Sequence, residues 1–176
     1  METDRDPLRI PNPFLNDDQN DRETTAASSG DNTTRSASTS IFYLITPHSP
    51  TGAFHRNSGR TVHTLHRGRG RYVIIHADEV EGTNKKARIE TFVVGHDLLR
   101  GEKLQWVVEG GKYKASFLLP DEYDSDGNPR SDGLLISETV IPGFEYSDHD
   151  FMRREKMDEL LTLEQTSELQ WLLRKS

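Results

Sequence analysis

The sequence contains no cysteine. That excludes disulfides, thiolate nucleophiles and thiolate zinc sites together, so any metal would have to be held by histidine and carboxylate. There is no uninterrupted run of about 18 apolar residues, the length a membrane span requires. The first residues are acidic and interrupted by prolines, where a signal peptide would be basic and then apolar. A cytoplasmic protein without membrane contact is expected. A serine-centred nucleophile elbow, a phosphate loop, a dinucleotide fingerprint and an HExxH helix are also missing, which leaves hydrolase, kinase and dehydrogenase readings unsupported. Positive charge is in deficit: 22 Lys and Arg against 29 Asp and Glu give a net charge of −7, which disfavours general attraction to nucleic acid.

Against that acidic background, residues 54–76 hold four of the seven histidines and five arginines with no acid among them. The run ends in Tyr72-Val73-Ile74-Ile75 and is rich in β-branched residues, so it reads as strands lining a pocket that takes a small, anionic or hydroxylated ligand. The RGRGR stretch at 67–71 sits in a turn between two strand-like runs rather than in a disordered repeat, so nucleic acid is not the expected partner.

With 176 residues, the chain has room for one ordinary domain. Residues 1–40 are mostly Asn, Asp, Ser, Thr and Gly with little to bury, and read as a disordered N-terminal arm; residues 10–15 could dock as an extended segment. Eight short β-rich runs follow, at 41–46, 52–56, 61–65, 71–76, 89–94, 104–108, 112–119 and 134–140. Gly, Pro and Asn clusters separate them, the pattern of a jelly roll. Asp124, Asp126 and Asn128 alternate as in a calcium loop, but Leu135 stands where the closing glutamate would be, and a surface loop is the better reading. After Pro142-Gly143 the apolar period lengthens to that of a helix, and Thr162-Leu163-Glu164-Gln165 forms a capping box opening a second one. Residues 41–147 are thus expected as the β domain, and residues 148–176 as amphipathic helices that pack on it or at a dimer interface.

Several local motifs, taken in order, resemble the cupin-5 family of small cupin proteins of unassigned function. Tyr43-Leu44-Ile45-Thr46 is similar to its opening strand, and Phe54-His55-Arg56 to its His-Arg pair. Gly95-His96-Asp97 and Gly101-Glu102-Lys103-Leu104-Gln105 resemble its two turns, and Ile141-Pro142-Gly143-Phe144-Glu145-Tyr146 its closing motif. The resemblance covers about residues 41–151. It implies a mainly β fold, the cupin double-stranded β-helix or jelly-roll barrel with C-terminal helices, dimeric, with a central pocket. Arg60 and Val62 stand where the family has an acid and a tryptophan, and Leu104 where it has proline, which predicts a more basic pocket with less aromatic lining.

The candidate catalytic residues are His63 first, His55 second, and Tyr113 or Glu138 as the proton donor, for a base and an acid on either side of a carbonyl substrate. A histidine kept neutral by neighbouring positive charge would be the base. Phe54, Arg56, Arg60, His66, His76, Gln105 and Trp106 are the candidate ligand-binding residues. The guanidinium groups are suited to gripping an anion, although ion pairs with Glu90, Glu109 or Glu138 would explain them equally. His63 and His66 are three apart and should face opposite sides of a strand. No cofactor is expected; a divalent metal, if present, would use His55, His63 and His76. His48, His96 and His149 adjoin turn residues and read as exposed. Three functions remain open: a small-molecule-binding cupin, an isomerase or epimerase, and a metal-dependent dioxygenase-like cupin.

Overall fold

The computed structural model describes residues 3–15 and 33–175. In chain order the strands are β1 (Thr3–Arg5), β2 (Arg9–Pro11), β3 (Thr34–Ser36), β4 (Thr39–Ile45), β5 (Thr51–Asn57), β6 (Arg60–Arg67), β7 (Gly70–Ile75), β8 (Ile89–Val94), β9 (Gln105–Val108), β10 (Tyr113–Leu118), β11 (Glu122–Tyr123), β12 (Pro129–Arg130), β13 (Leu134–Ile141) and β14 (His149–Phe151). Two helices follow, α1 (Arg154–Leu160) and α2 (Leu163–Leu169). Two five-stranded antiparallel sheets, ordered β1-β4-β13-β6-β9 and β14-β5-β10-β7-β8, face each other as a jelly roll.

Period-two patterning explains which side chains face inward. In β13, Leu134, Ile136, Glu138 and Val140 are buried while the alternate residues are partly exposed. β7 and β10 are buried on both faces, which is why Tyr72-Val73-Ile74-Ile75 reads as a continuous apolar run. One core, with Ile45, Leu65, Ile74, Leu134 and Ile136, fills one end of the space between the sheets. A second core lies outside the β5-β10-β7 sheet, where Phe54, Val73 and Ile75 meet Met157, Leu160, Leu161 and Leu172. The C-terminal helices therefore cover a sheet face. Thr162 caps α2, its hydroxyl accepting from the Gln165 amide at 3.2 Å while the Gln165 side chain accepts from the Thr162 amide at 3.0 Å.

Turn chemistry sets the connections. Gly68 has φ +86°, and a Cβ there would lie 2.1 Å from the Gly133 carbonyl oxygen, so the β6–β7 turn requires glycine. Asp124 accepts the backbone amides of Asp126 and Asn128 at 2.9 and 2.8 Å, so the calcium-like alternation closes the β11–β12 hairpin.

The expected disorder of residues 1–40 does not hold where the chain is described. β1 adds to the edge of the first sheet through β4, and β2 pairs with β3. Composition misled here because these strands are held by backbone pairing and buried arginine rather than by apolar side chains. Residues 16–32 lie outside the described residues. No described helix is long and apolar enough to cross a membrane.

Candidate active site between the sheets

The end of the inter-sheet space not filled by aliphatic side chains is polar. β13 and β6 place Glu138 opposite His63, and on the facing sheet β10 and β5 place Lys114 opposite His55. Lys114 reaches across: its Nζ lies 3.0 Å from His63 Nε2 and 3.1 Å from Glu138 Oε2. His63, Lys114 and Glu138 are 0%, 2% and 7% exposed, so this contact is buried.

The protonation states follow from the donors. An ammonium only donates, so His63 Nε2 accepts, and the imidazole is neutral with its proton on Nδ1. Burial, reinforced by Lys114, lowers His63 to about 3. Burial alone would raise the Glu138 carboxyl, but Lys114 and then the two imidazoles hold it at about 2. Lys114 is pushed down by burial against the pull of Glu138. At neutral pH the centre is a buried ammonium–carboxylate pair beside a neutral imidazole.

His55 differs from His63 in what its ring nitrogens do. Its Nδ1 donates to the Ala53 carbonyl at 2.9 Å, which leaves Nε2 as a lone-pair acceptor. Burial first, and then Lys114, lowers it to about 4, so it too is neutral. His149 stacks on it at 5.3 Å between ring centroids. His149 is likewise lowered by burial.

A cavity of about 380 Å³ opens beside these groups. Thr39, Tyr43, His55, Asn57 and Glu138 contribute polar groups; Phe144, Tyr146, His149 and Phe151 form an aromatic wall, and Ile41 and Val140 contribute aliphatic surface. The Tyr43 hydroxyl is raised by burial and by the Glu138 charge. Gly52 makes room for it, since a Cβ at that position would lie 2.7 Å from Tyr43 Oη. Tyr43 is on β4 and His55 on β5, so a donor and an acceptor enter the cavity from opposite sheets.

Of the expected catalytic residues, His63, His55 and Glu138 are brought together, with their order changed: His55 lines the cavity, whereas His63 is sealed beneath it. Tyr113 points the other way. Its hydroxyl donates to Asp150 at 2.8 Å, its side chain lies in the core under the helices, and the Arg56 guanidinium sits 4.9 Å above its ring.

Most of the expected ligand-binding residues lie elsewhere. Phe54 is buried in the helix-side core, and Arg56 bonds Asp150 at 2.6 Å. Arg60 bonds Glu109 at 2.9 Å on the surface. His66, on the opposite face from His63, contacts Ser137 Oγ at 2.9 Å. Gln105 reaches Thr64 on the outer face. Trp106 is inside, but it packs under His63, with ring centroids 5.0 Å apart and planes 7° from parallel, and does not border the cavity.

His76 is held by Glu90, Glu79 and Arg88 rather than by the inter-sheet groups, so the set His55, His63 and His76 does not converge. Among the described residues no group of three or more His, Asp and Glu is placed to hold a metal ion. The expected basic pocket is also corrected: among the described residues no Lys or Arg lines the cavity, which is bordered by Glu138.

Sequence reasoning missed Lys114, Tyr43 and His149. Lys112, Lys114 and Ser116 alternate with apolar residues, the pattern of a solvated face, and only the need of a buried Glu138 for a cation pointed inward. His149 adjoins a turn, but it lines the cavity.

Comparison with known proteins matches the Cupin superfamily (DUF985) family over residues 1–152, a span that includes the N-terminal segment. The chain belongs to this family. It is 45% identical over 141 residues to the uncharacterized protein YML079W of Saccharomyces cerevisiae, covering 79% of this chain and 63% of that protein. The chain thus spans somewhat less than two thirds of that relative's length. Among solved structures, a hypothetical protein from Leishmania major superposes with TM-score 0.68 at 24% identity, over 98% of this chain and 86% of the other. A dTDP sugar isomerase from Desulfovibrio desulfuricans G20 superposes with TM-score 0.50 at 11% identity, over 90% and 87%. At these identities the structural matches establish the cupin fold.

Proposed function

We propose that this cupin binds a small, hydroxylated, uncharged metabolite in the cavity between its sheets. The observation that carries this reading is the lining: hydrogen-bonding groups, an aromatic wall and, among the described residues, no Lys or Arg to receive an anion. The anionic ligand suggested by the arginine-rich run is not supported, because Arg56 and Arg60 are engaged by acids away from the cavity. A thermal-shift screen of neutral polyols, hydroxyketones and sugars beside their phosphorylated forms tests it. Neutral compounds should stabilise the wild type and not Tyr43→Phe or His55→Gln. Stabilisation by phosphorylated compounds alone would sink the proposal.

His55 favours a second reading, isomerisation or epimerisation by proton transfer next to a carbonyl. Its free Nε2 could take the proton, and Tyr43 from the facing sheet could supply one. The fold is shared with the dTDP sugar isomerase from Desulfovibrio desulfuricans G20. Catalysed exchange of carbon-bound hydrogen in deuterated water, followed by NMR on the hydroxyketones of the screen and lost in His55→Gln, would support this reading. Its absence on every bound compound would leave binding alone.

A homodimer goes with the same proposal. Phe42, Leu44, Val107 and Ile141 are exposed on the outer face of the first sheet, opposite the face that bounds the cavity. That face suits a second copy. Light scattering should give twice the chain mass for the wild type and the single mass for Phe42→Asp/Val107→Asp; a monomeric wild type rejects it.

A further inference from the structure

The segment whose composition reads as an appendage carries a buried arginine. Arg35, on β3, is 3% exposed. Its two terminal nitrogens grip both carboxylate oxygens of Asp148, and Nη1 also donates to the Gly143 carbonyl at 3.4 Å. Nε donates to Asn12 Oδ1 at 2.7 Å, and the Phe14 ring lies 5.2 Å from the guanidinium.

A second clamp runs in parallel. Arg5 donates to the Phe144 carbonyl at 3.3 Å and to Glu145, itself 3% exposed, at 3.1 Å. Between the two clamps the Gly143 amide donates to the Ser36 carbonyl at 2.8 Å. A Cβ at position 143 would lie 2.9 Å from that oxygen, so the approach leaves no room for a side chain. Apart from the Asn12 and Phe14 contacts of Arg35, all of these interactions join the segment to residues 143–148. That loop carries Phe144 and Tyr146 and leads directly to His149, which together form most of the aromatic wall.

We propose that Arg35 is a positioning residue of the site: it holds the 143–149 wall so that His149 stacks on His55 and closes one side of the cavity. A two-point arginine grip fixes both distance and orientation, which a single contact would not. The segment before β4 is then part of the site's construction. The inference rests on the cavity being the site and is independent of which ligand it takes.

The test is histidine-resolved NMR titration of the full chain and of Arg35→Met, Arg35→Lys and Asp148→Asn. The charged groups acting on His149 are Asp150 beside it, Lys114 on β10 and Glu138 on β13, with His55 stacked on its ring. Phe144 and Phe151 meet its ring edge-on, at 5.8 and 4.8 Å. In the wild type His149 should titrate below the ordinary imidazole value of about 6.5. In Arg35→Met and Asp148→Asn it should move up towards that value and lose the ring-current shifts of its aromatic neighbours, while His63 stays neutral. Arg35→Lys, which keeps the charge without the two-point grip, should fall between. An unchanged His149 in a folded variant overturns the proposal. So does a common shift of His149, His55 and His63, or failure of both Arg35→Met and Asp148→Asn to fold, since either would make Arg35 a support of the whole fold. A ligand screen that finds nothing would count against the binding proposal and leave this result unaffected.

Discussion

Lys114 and Glu138 meet at 3.1 Å from opposite sheets, in a part of the inter-sheet space where aliphatic packing gives way to charge. Both side chains are almost wholly buried, 2% and 9% exposed. Such a pair contributes little net stability against an apolar replacement, but each partner is indispensable to the other.

Removing one partner should therefore cost far more than removing both. Lys114→Met leaves the Glu138 carboxylate buried beside two neutral imidazoles, and a loss of about 3–5 kcal/mol in urea unfolding is expected. Lys114→Met/Glu138→Gln should recover a large part of that, giving a non-additive cycle. A single variant as stable as the wild type would show that the pair is not buried as described.

Acid should destabilise the fold well before carboxylates titrate. His63 and His55 are held at about 3 and about 4 against an ordinary 6.5, and Glu138 at about 2 against 4.5. A depressed folded value means that the unfolded chain binds more protons in the window between the two values. Stability from the imidazoles is then present above about 6.5 and lost as pH falls towards 4 and 3, with the Glu138 contribution lost from about 4.5 downward. Each imidazole should contribute a slope of about 1.4 kcal/mol per pH unit. Urea midpoints between pH 7 and pH 4.5 should fall steeply in the wild type. The fall should be shallower by about one proton in His63→Gln, and an equal slope would contradict a neutral buried His63.

What the sequence showed and hid follows from which interactions are local. All eight strand expectations correspond to strands, because period-two alternation and turn residues are local properties, and the Thr162–Gln165 capping box is likewise local. The site was legible in part. His55, His63 and Glu138 could be singled out as ionisable groups in strand-like runs, but alternation gives two faces without saying which one is inside. In β10 that ambiguity hid Lys114 and favoured Tyr113. The arginine-rich run looked like an anion pocket because its acids, Glu102, Glu109 and Asp150, are distant in sequence and adjacent in space. The N-terminal strands were hidden for the same reason: their partners are 34–38 residues away in β4 and 23–27 away across the β2–β3 pair.

Tyr113→Phe separates the two faces of β10. It removes a hydrogen bond to Asp150 on the helix side and should cost about 1 kcal/mol in stability, within the usual range for one such bond. Any ligand found by thermal shift should bind Tyr113→Phe as it binds the wild type, while Tyr43→Phe should weaken it. The reverse pattern would place the cavity on the other side of the sheet.

The helix-side core should prove as important to stability as the space between the sheets, although no proposed function resides there. Met157 is fully buried against the sheet that carries Phe54, Val73 and Ile75, and Met157→Ala should cost about 2–5 kcal/mol through lost burial and the cavity left behind. Thr162→Ala, which removes only the hydroxyl half of the capping box, should cost about 1 kcal/mol. Because β5 carries His55 on the face opposite Phe54, loosening the helices should also be felt at the site. In Met157→Ala the His55 ring resonances should broaden or shift while those of His66, on the far sheet, stay put. Urea unfolding and histidine NMR on the same sample check both parts. A variant as stable as the wild type would mean that the helices only rest on the sheet and do not complete its core.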